Sequence, residues 1–314
     1  MFRTWTLIAL AVGGFATSAF AQDTTHRMLV ADYSKKRIAI VDAMGKIEWQ
    51  HKIGDIHDLH MLENGNVLCQ ASWTRIVELD PKTDKIVWEY DAKSNGNEKR
   101  PVEVHAFQRL ADGATMIAES GPARIIEVNR DGKILREVKL SVGKPNAHRD
   151  TRLVRKLPNN NYLVCHEGLG MVREYGGDGK IVWEYSVPLF DQKPRGGHGP
   201  EAWGNAVFAA VRLGNGNTLI STGNGHSVIE VARDAKIVWH LKQDDLPGIK
   251  LAWVTTLQVL ENGNIVLGNC HAGPDNPQII EITRDKRVVW SFRDFTNFGD
   301  ATSNSQVLGV KSLR

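Results

Sequence analysis

The sequence predicts an all-β chain: a six-bladed β-propeller of four-stranded blades, closed by N- and C-terminal strands that share one blade. Three observations predict it. A phrase recurs as Leu62-Glu-Asn-Gly-Asn66, Leu110-Ala-Asp-Gly-Ala114, Leu157-Pro-Asn-Asn-Asn161, Leu213-Gly-Asn-Gly-Asn217 and Leu260-Glu-Asn-Gly-Asn264, with a truncated copy from Leu308. Its leucines are 48, 47, 56, 47 and 48 residues apart, and periods of this length mark propellers and related arrays. Finally, the two chain ends hold complementary parts of one further repeat.

Within a repeat, Asn-Gly or Asp-Gly favours positive φ and a tight hairpin. A short apolar run follows, such as Val67-Leu68, and then a variable polar loop. A third strand reads Arg75-Ile-Val-Glu-Leu79 or Arg124-Ile-Ile-Glu-Val128. A second turn leads to the fourth: Ile86-Val-Trp-Glu-Tyr90, Ile181-Val-Trp-Glu-Tyr185, Ile237-Val-Trp239 and Val288-Val-Trp290. Four strands in each such unit are a blade. Near the N-terminus, Arg37–Val41 and Ile47–Trp49 lack the first two strands of theirs. Residues 27–31 supply the second and Ser305–Val310 the first, making a composite sixth blade that removes free sheet edges.

Residues 1–21 read as a signal peptide, with Arg3, the apolar run Trp5–Phe15 and Ala19-Phe20-Ala21 before the cleavage point. That run is too short to span a bilayer, which needs about 20 residues. The propeller then occupies 22–314, in the periplasm or secreted. Net charge is +3, or +2 without Arg3, which argues against nucleic acid because no basic stripe is present. Three cysteines, Cys69, Cys165 and Cys270, are an odd count and no disulfide framework. The expectation is buried free thiols in a monomer.

Asp80-Pro-Lys-Thr-Asp-Lys-Ile-Val-Trp88 resembles the repeat of pyrroloquinoline-quinone (PQQ)-type propellers, whose outer-strand Trp docks against the next blade. Arg136 stands in that Trp position in blade two. The His57-Asp58 pair ahead of Leu62-Glu-Asn-Gly-Asn66 resembles repeats of bacterial arylsulfate sulfotransferases. That resemblance implies a channel-mouth His as attacking group, with His and Arg residues on the sulfuryl oxygens; His57, His105 and Arg152 are the matching positions, and the catalytic candidates. PQQ itself is not expected, because the quinone enzymes have eight blades and an adjacent cysteine pair.

Blade geometry assigns the faces. Loops leading into each first strand share one face with the loops between strands two and three, and the short Asn-Gly turns share the other. Variable loops on a rigid scaffold are where function sits. His57 and His105 lie five residues before a repeat leucine; the equivalents are Arg152, Phe208, Thr255 and Ser303. His148 and His198 lie upstream in the loops, and His166, His226 and His271 between strands two and three. Seven of the 11 histidines thus map to one face, joined by Glu119, Glu167, Trp73, Trp203 and Trp253. His148, His198, His166, His226, His271 and Trp203 are the ligand-binding candidates, and a divalent metal on three histidines is a further option. The loop from Ser186 to Asn205 is read either as a rim over the mouth or as a tolerated insertion.

Two function classes remain open. One is a His-dependent transferase, lyase or hydrolase acting on a small molecule or saccharide, since His titrates near neutrality. The other is a non-catalytic binding or scaffold propeller of the envelope.

Overall fold

A computed structural model describes residues 25–314; the signal-peptide reading of residues 1–21 falls outside them. Blade one is Leu59–Met61, Val67–Gln70, Arg75–Asp80 and Lys85–Asp91. Blade two is Glu103–Arg109, Thr115–Ser120, Arg124–Val128 and Ile134–Lys139. Blade three is Val154–Lys156, Tyr162–His166, Met171–Tyr175 and Ile181–Ser186. Blade four is Ala209–Arg212, Thr218–Ser221, Val228–Val231 and Ile237–Leu241. Blade five is Trp253–Leu260, Ile265–Cys270, Ile279–Ile282 and Val288–Phe292. Blade six is composite, with Thr302–Val307 as inner strand beside Met28–Asp32, Arg37–Val41 and Ile47–Lys52. No helix of the described residues is long and apolar enough to cross a membrane.

The closing strand lies three residues earlier than the Ser305–Val310 expected. Gly309 takes φ 73° and turns the chain out of blade six. Ser312–Leu313 then pairs with Val259 and Leu260 as a fifth strand on blade five.

Apolar residues of each blade pack against the next. Leu68, Ile76, Trp88 and Tyr90 of blade one meet Val104, Phe107, Ile117 and Ile126 of blade two in one buried cluster. Five of the six seams are also latched by a recurring polar device; in blade six Ile40 stands where the others have Glu. In the outer strand pair Glu78 faces Trp88 across the ladder. The turn residue Asn66 donates to Glu78 Oε1 at 2.8 Å. From blade two, Arg109 and Arg130 donate to Glu78 Oε2 at 2.9 and 2.5 Å. Arg109 also lies over the Trp88 ring, 4.7 Å from its centroid, an arrangement that cation–π attraction favours.

The same parts recur in other blades. Glu174 takes Asn161, Arg212 and Arg233, beside Trp183. Glu230 takes Asn217 and Arg284, beside Trp239. Glu281 takes Asn264 and His26, beside Trp290. Blade two, which lacks the Trp, holds Glu127 with Lys156 and the Tyr162 hydroxyl instead. The second Asn of the repeated phrase is therefore a seam residue as well as a turn residue.

The channel is crossed by one buried ion pair. Arg155 of blade three donates to both oxygens of Asp58 ahead of blade one, at 2.8 and 2.9 Å. Phe107 N of blade two donates to Oδ2 at 3.2 Å, and Asn304 of blade six reaches Oδ1 at 3.4 Å. Asp58 is fully buried, so one carboxylate ties four blades together at the axis.

Cys69, Cys165 and Cys270 are free and buried, as the odd count implied. Burial pushes the Cys69 thiol up to about 12 and the other two upward as well, so none is a thiolate near neutrality.

Candidate functional site

Each inner strand enters from the variable-loop face, so the position five residues before each repeat leucine recurs around the channel mouth. Five of those six residues, His57, Arg152, Phe208, Thr255 and Ser303, line a single cavity of ≈ 590 Å³. Tyr33, Trp73 and Trp253 add aromatic walls, and His148, His198, Cys270 and His271 complete its polar rim. The sixth, His105, lies behind His57. A β-bulge between Val104 and Ala106 leaves His105 without a ladder partner, and bulges re-aim side chains in this way.

His57 Nδ1 and His105 Nδ1 are 2.8 Å apart. His105 Nε2 lies 3.1 Å from Glu103 Oε2 and 3.3 Å from the Ala147 carbonyl oxygen. Both are acceptors, so His105 Nε2 carries the hydrogen and Nδ1 its lone pair. His57 Nδ1–H then donates to His105, and His57 Nε2 is left as an acceptor for whatever enters the cavity. Glu103 Oε2 also accepts from His148 Nδ1 at 2.7 Å. Burial, then the Arg152, His105 and His148 charges, push His57 well below the usual imidazole value. Burial, then the Arg152 charge, bring His105 to about 4 against the opposing pull of Glu103. For Glu103 burial acts upward, but hydrogen bonds from His105 and His148 outweigh it and hold the carboxyl at about 2. His57 and His105 are thus neutral imidazoles near neutral pH, and Glu103 is an anionic carboxylate. Glu103, His105 and His148 each place one ligand-type atom within 4.8 Å of the other two.

Trp73 roofs this wall, with ring centroids 5.0, 5.4 and 5.2 Å from His57, His105 and His148. Arg152 pairs with Glu167, which Arg149 also contacts at 3.1 Å. Burial lowers the Arg152 guanidinium, and the Glu167 charge partly offsets this. Opposite, His198 packs on Trp253 at 4.9 Å and on His271 at 5.1 Å. The Ser186–Asn205 loop brings Gly197 and His198 to the cavity and so forms part of its rim.

Behind the cavity lining, the buried hydroxyls Thr255 Oγ1 and Ser303 Oγ have no hydrogen-bond partner among the described residues. Thr255 sits at a bulge between Val254 and Leu257. It faces Gly268, where a Cβ would come 2.2 Å from its Oγ1. Only glycine leaves that hydroxyl its place.

Three expected ligand residues lie elsewhere. His166 is fully buried, its ring nitrogens 2.7 Å from Asp150 O and 2.9 Å from the Tyr175 hydroxyl. His226 is fully buried between the carbonyls of Ala252 and Ala202, at 2.7 and 2.6 Å. Both hold loops in place, since strand two ends below the cavity rather than at its rim. Trp203 donates to Leu189 O at 2.9 Å and packs edge-on against His226, which anchors the Ser186–Asn205 loop. Glu119 is likewise spent, on Tyr90, Asn97 and Arg124. The sequence reading missed Glu103. Its signal was its place two residues before His105, on the same strand and in alternation with it.

A family model described as outer membrane protein assembly factor BamB, PQQ_2, matches residues 29–292. The chain belongs to this PQQ-like propeller family. Among solved structures, this PQQ-like propeller is similar to a protein of unknown function from Bacteroides caccae, with 22% identity and a TM-score of 0.72 over 89% of this chain and 97% of that one. It is similar to a streptogramin B lyase, with 14% identity and a TM-score of 0.59 over 92% and 90%. It is also similar to a catalytically inactive virginiamycin B lyase variant from Staphylococcus aureus with quinupristin, with 14% identity and a TM-score of 0.56 over 88% and 87%. At these identities the likeness is one of fold. No curated protein matches the chain.

Proposed function

We propose that the cavity binds and chemically converts a small, ring-bearing, hydroxylated molecule of the saccharide class, with His57 as the group that moves a proton. The observation that carries this is one cavity in which the aromatic walls Trp73, Trp253 and Phe208 meet the hydrogen-bonding residues His57, Arg152, His148, His198 and His271. Aromatic faces suit the apolar faces of a sugar ring, and the cavity volume is in the range of small-molecule sites. His57 Nε2 meets that ligand from one side, its ring fixed through Nδ1 by His105. An imidazole oriented by a second group is the arrangement general acid–base catalysis needs. The fold neighbours that are lyases show that such a scaffold can host chemistry and carry no substrate to this chain.

The test is calorimetry against a panel of mono- to trisaccharides and their lactones, followed by turnover assays on those that bind. Trp253→Ala is expected to weaken binding about 10-fold or more, whereas His57→Ala keeps binding and lowers turnover by about 100-fold or more. Failure of the whole panel to bind, or binding indifferent to Trp253→Ala, defeats the proposal. The family description supplies a second reading, an envelope scaffold. Under it the site binds without turnover, and His57→Ala has no activity to remove. The signal-peptide reading places either version outside the cytoplasm, and N-terminal sequencing of the mature protein should begin at Gln22.

A further inference from the structure

We infer that Glu103, His105 and His148 form a site for one first-row divalent transition-metal ion at the edge of the cavity, where His148 joins its lining. Three donor atoms, Glu103 Oε2, His105 Nε2 and His148 Nδ1, converge from two segments, the inner strand of blade two and the loop before blade three. The carboxylate oxygen lies 2.7 Å from His148 Nδ1 and 3.1 Å from His105 Nε2. Ligands around a single cation bound at about 2.0–2.2 Å sit close to this far apart, so a small opening of the trio admits the ion. Two imidazoles and one carboxylate select zinc, cobalt(II), iron(II) or manganese(II) over calcium, which prefers an all-oxygen shell. Three protein ligands leave coordination positions free, as catalytic sites do and closed structural sites do not. Arg152, the nearby cation, makes its ion pair with Glu167, and the Glu103 charge acts on it only as a second, weaker influence.

The second shell is already in place. His105 Nδ1 rests on His57 Nδ1 at 2.8 Å, the supporting contact that metal-bound histidines make through their other nitrogen. Loading the ion also reverses the hydrogen in that contact. With Nε2 on the metal, His105 carries its hydrogen on Nδ1 and donates to His57. His57 Nε2 then becomes the protonated atom, and the group facing the cavity changes from acceptor to donor. The ion thus decides which half of an acid–base cycle His57 can begin.

The inference stands on the same cavity as the proposed function but needs no substrate for its test. Chelator-treated full-length mature protein is titrated with cobalt(II) and followed by visible absorption and calorimetry, with zinc as competitor and calcium as control. The expected result is one equivalent bound, with a cobalt spectrum of mixed nitrogen and oxygen ligation, displaced by zinc and not by calcium. Glu103→Gln and His148→Ala each weaken binding by more than about 100-fold, a greater loss than the roughly 10–100-fold that outer-shell changes cause. His198→Ala, on the opposite wall, leaves it unchanged. Absence of cobalt binding by the wild type overturns the inference, as does binding that survives both Glu103→Gln and His148→Ala or that is lost in His198→Ala. A protein that takes up saccharide but no cobalt loses this inference and keeps the proposed function. One that takes up cobalt and no saccharide does the reverse.

Discussion

Replacing Asp58 with alanine is expected to cost the fold about 3–5 kcal/mol, the loss typical when one partner of a buried ion pair is removed. The carboxylate is fully buried and accepts from Arg155 twice, from the backbone N–H groups of Leu59 and Phe107, and from Asn304. Without it the Arg155 guanidinium stays at the channel axis with no counter-charge. Urea unfolding measures the loss. A companion variant, Asp58→Leu with Arg155→Met, should recover much of it, because an apolar pair of similar volume often replaces a buried ion pair at little cost. An Asp58→Ala protein within about 1 kcal/mol of wild type would show that the ion pair is ornamental. The pH dependence has a defined sign. Burial acts to raise the Asp58 carboxyl, but Arg155 and His60 outweigh it and hold it far below the usual carboxylate range. A depressed folded value gives stability that is complete above the unfolded value near 3.9 and lost as pH falls below it. The acid side of the stability curve should therefore be shallower in Asp58→Ala than in wild type.

Ending the chain before Thr302 is expected to abolish cooperative folding, whereas ending it after Leu308 should only lower the melting temperature. The first deletion removes the inner strand of blade six, whose Ser305 pairs with Val30 and Gln306 with Leu29. It also removes Val307 N, which donates to Gln258 Oε1 of blade five at 2.8 Å. Met28–Asp32, buried along its length, then presents an unpaired apolar edge, the feature that drives sheet-to-sheet aggregation. The shorter deletion costs the Ser312–Leu313 strand and the Arg314 contacts with Leu59 O and Asn304. Circular dichroism melts of the two truncations separate the cases. Equal melting temperatures would refute the idea that the ring is closed by Thr302–Val307.

Much of the fold was legible because blade grammar is local. The Leu-x-Asn-Gly-Asn phrase fixes a turn, the turn fixes register, and register fixed the ring of His57, Arg152, Phe208, Thr255 and Ser303 around one mouth. What was not legible depends on departures from register. His105 occupies an equivalent position, yet the bulge at Val104/Ala106 sets it behind His57. His166 and His226 share the correct face by chain direction. Their depth depends on where strand two ends, and at the seam each met two acceptors or hydroxyls that absorb it. Glu103 escaped notice because a single acid before a strand carries no pattern of its own. It acquires meaning only when a loop from the next blade delivers His148 to it.

The composite blade bears on how the chain is made. Met28–Asp32 leaves the ribosome well before its partner, Thr302–Val307, with five blades between them. At about 5–20 residues per second, the older strand waits roughly tens of seconds with one side unpaired while blades one to five are synthesised. Those five can each close as they emerge. The sixth cannot, so the nascent chain carries an exposed apolar strand until Thr302–Val307 emerges, and any factor that shields emerging chains has a long engagement there.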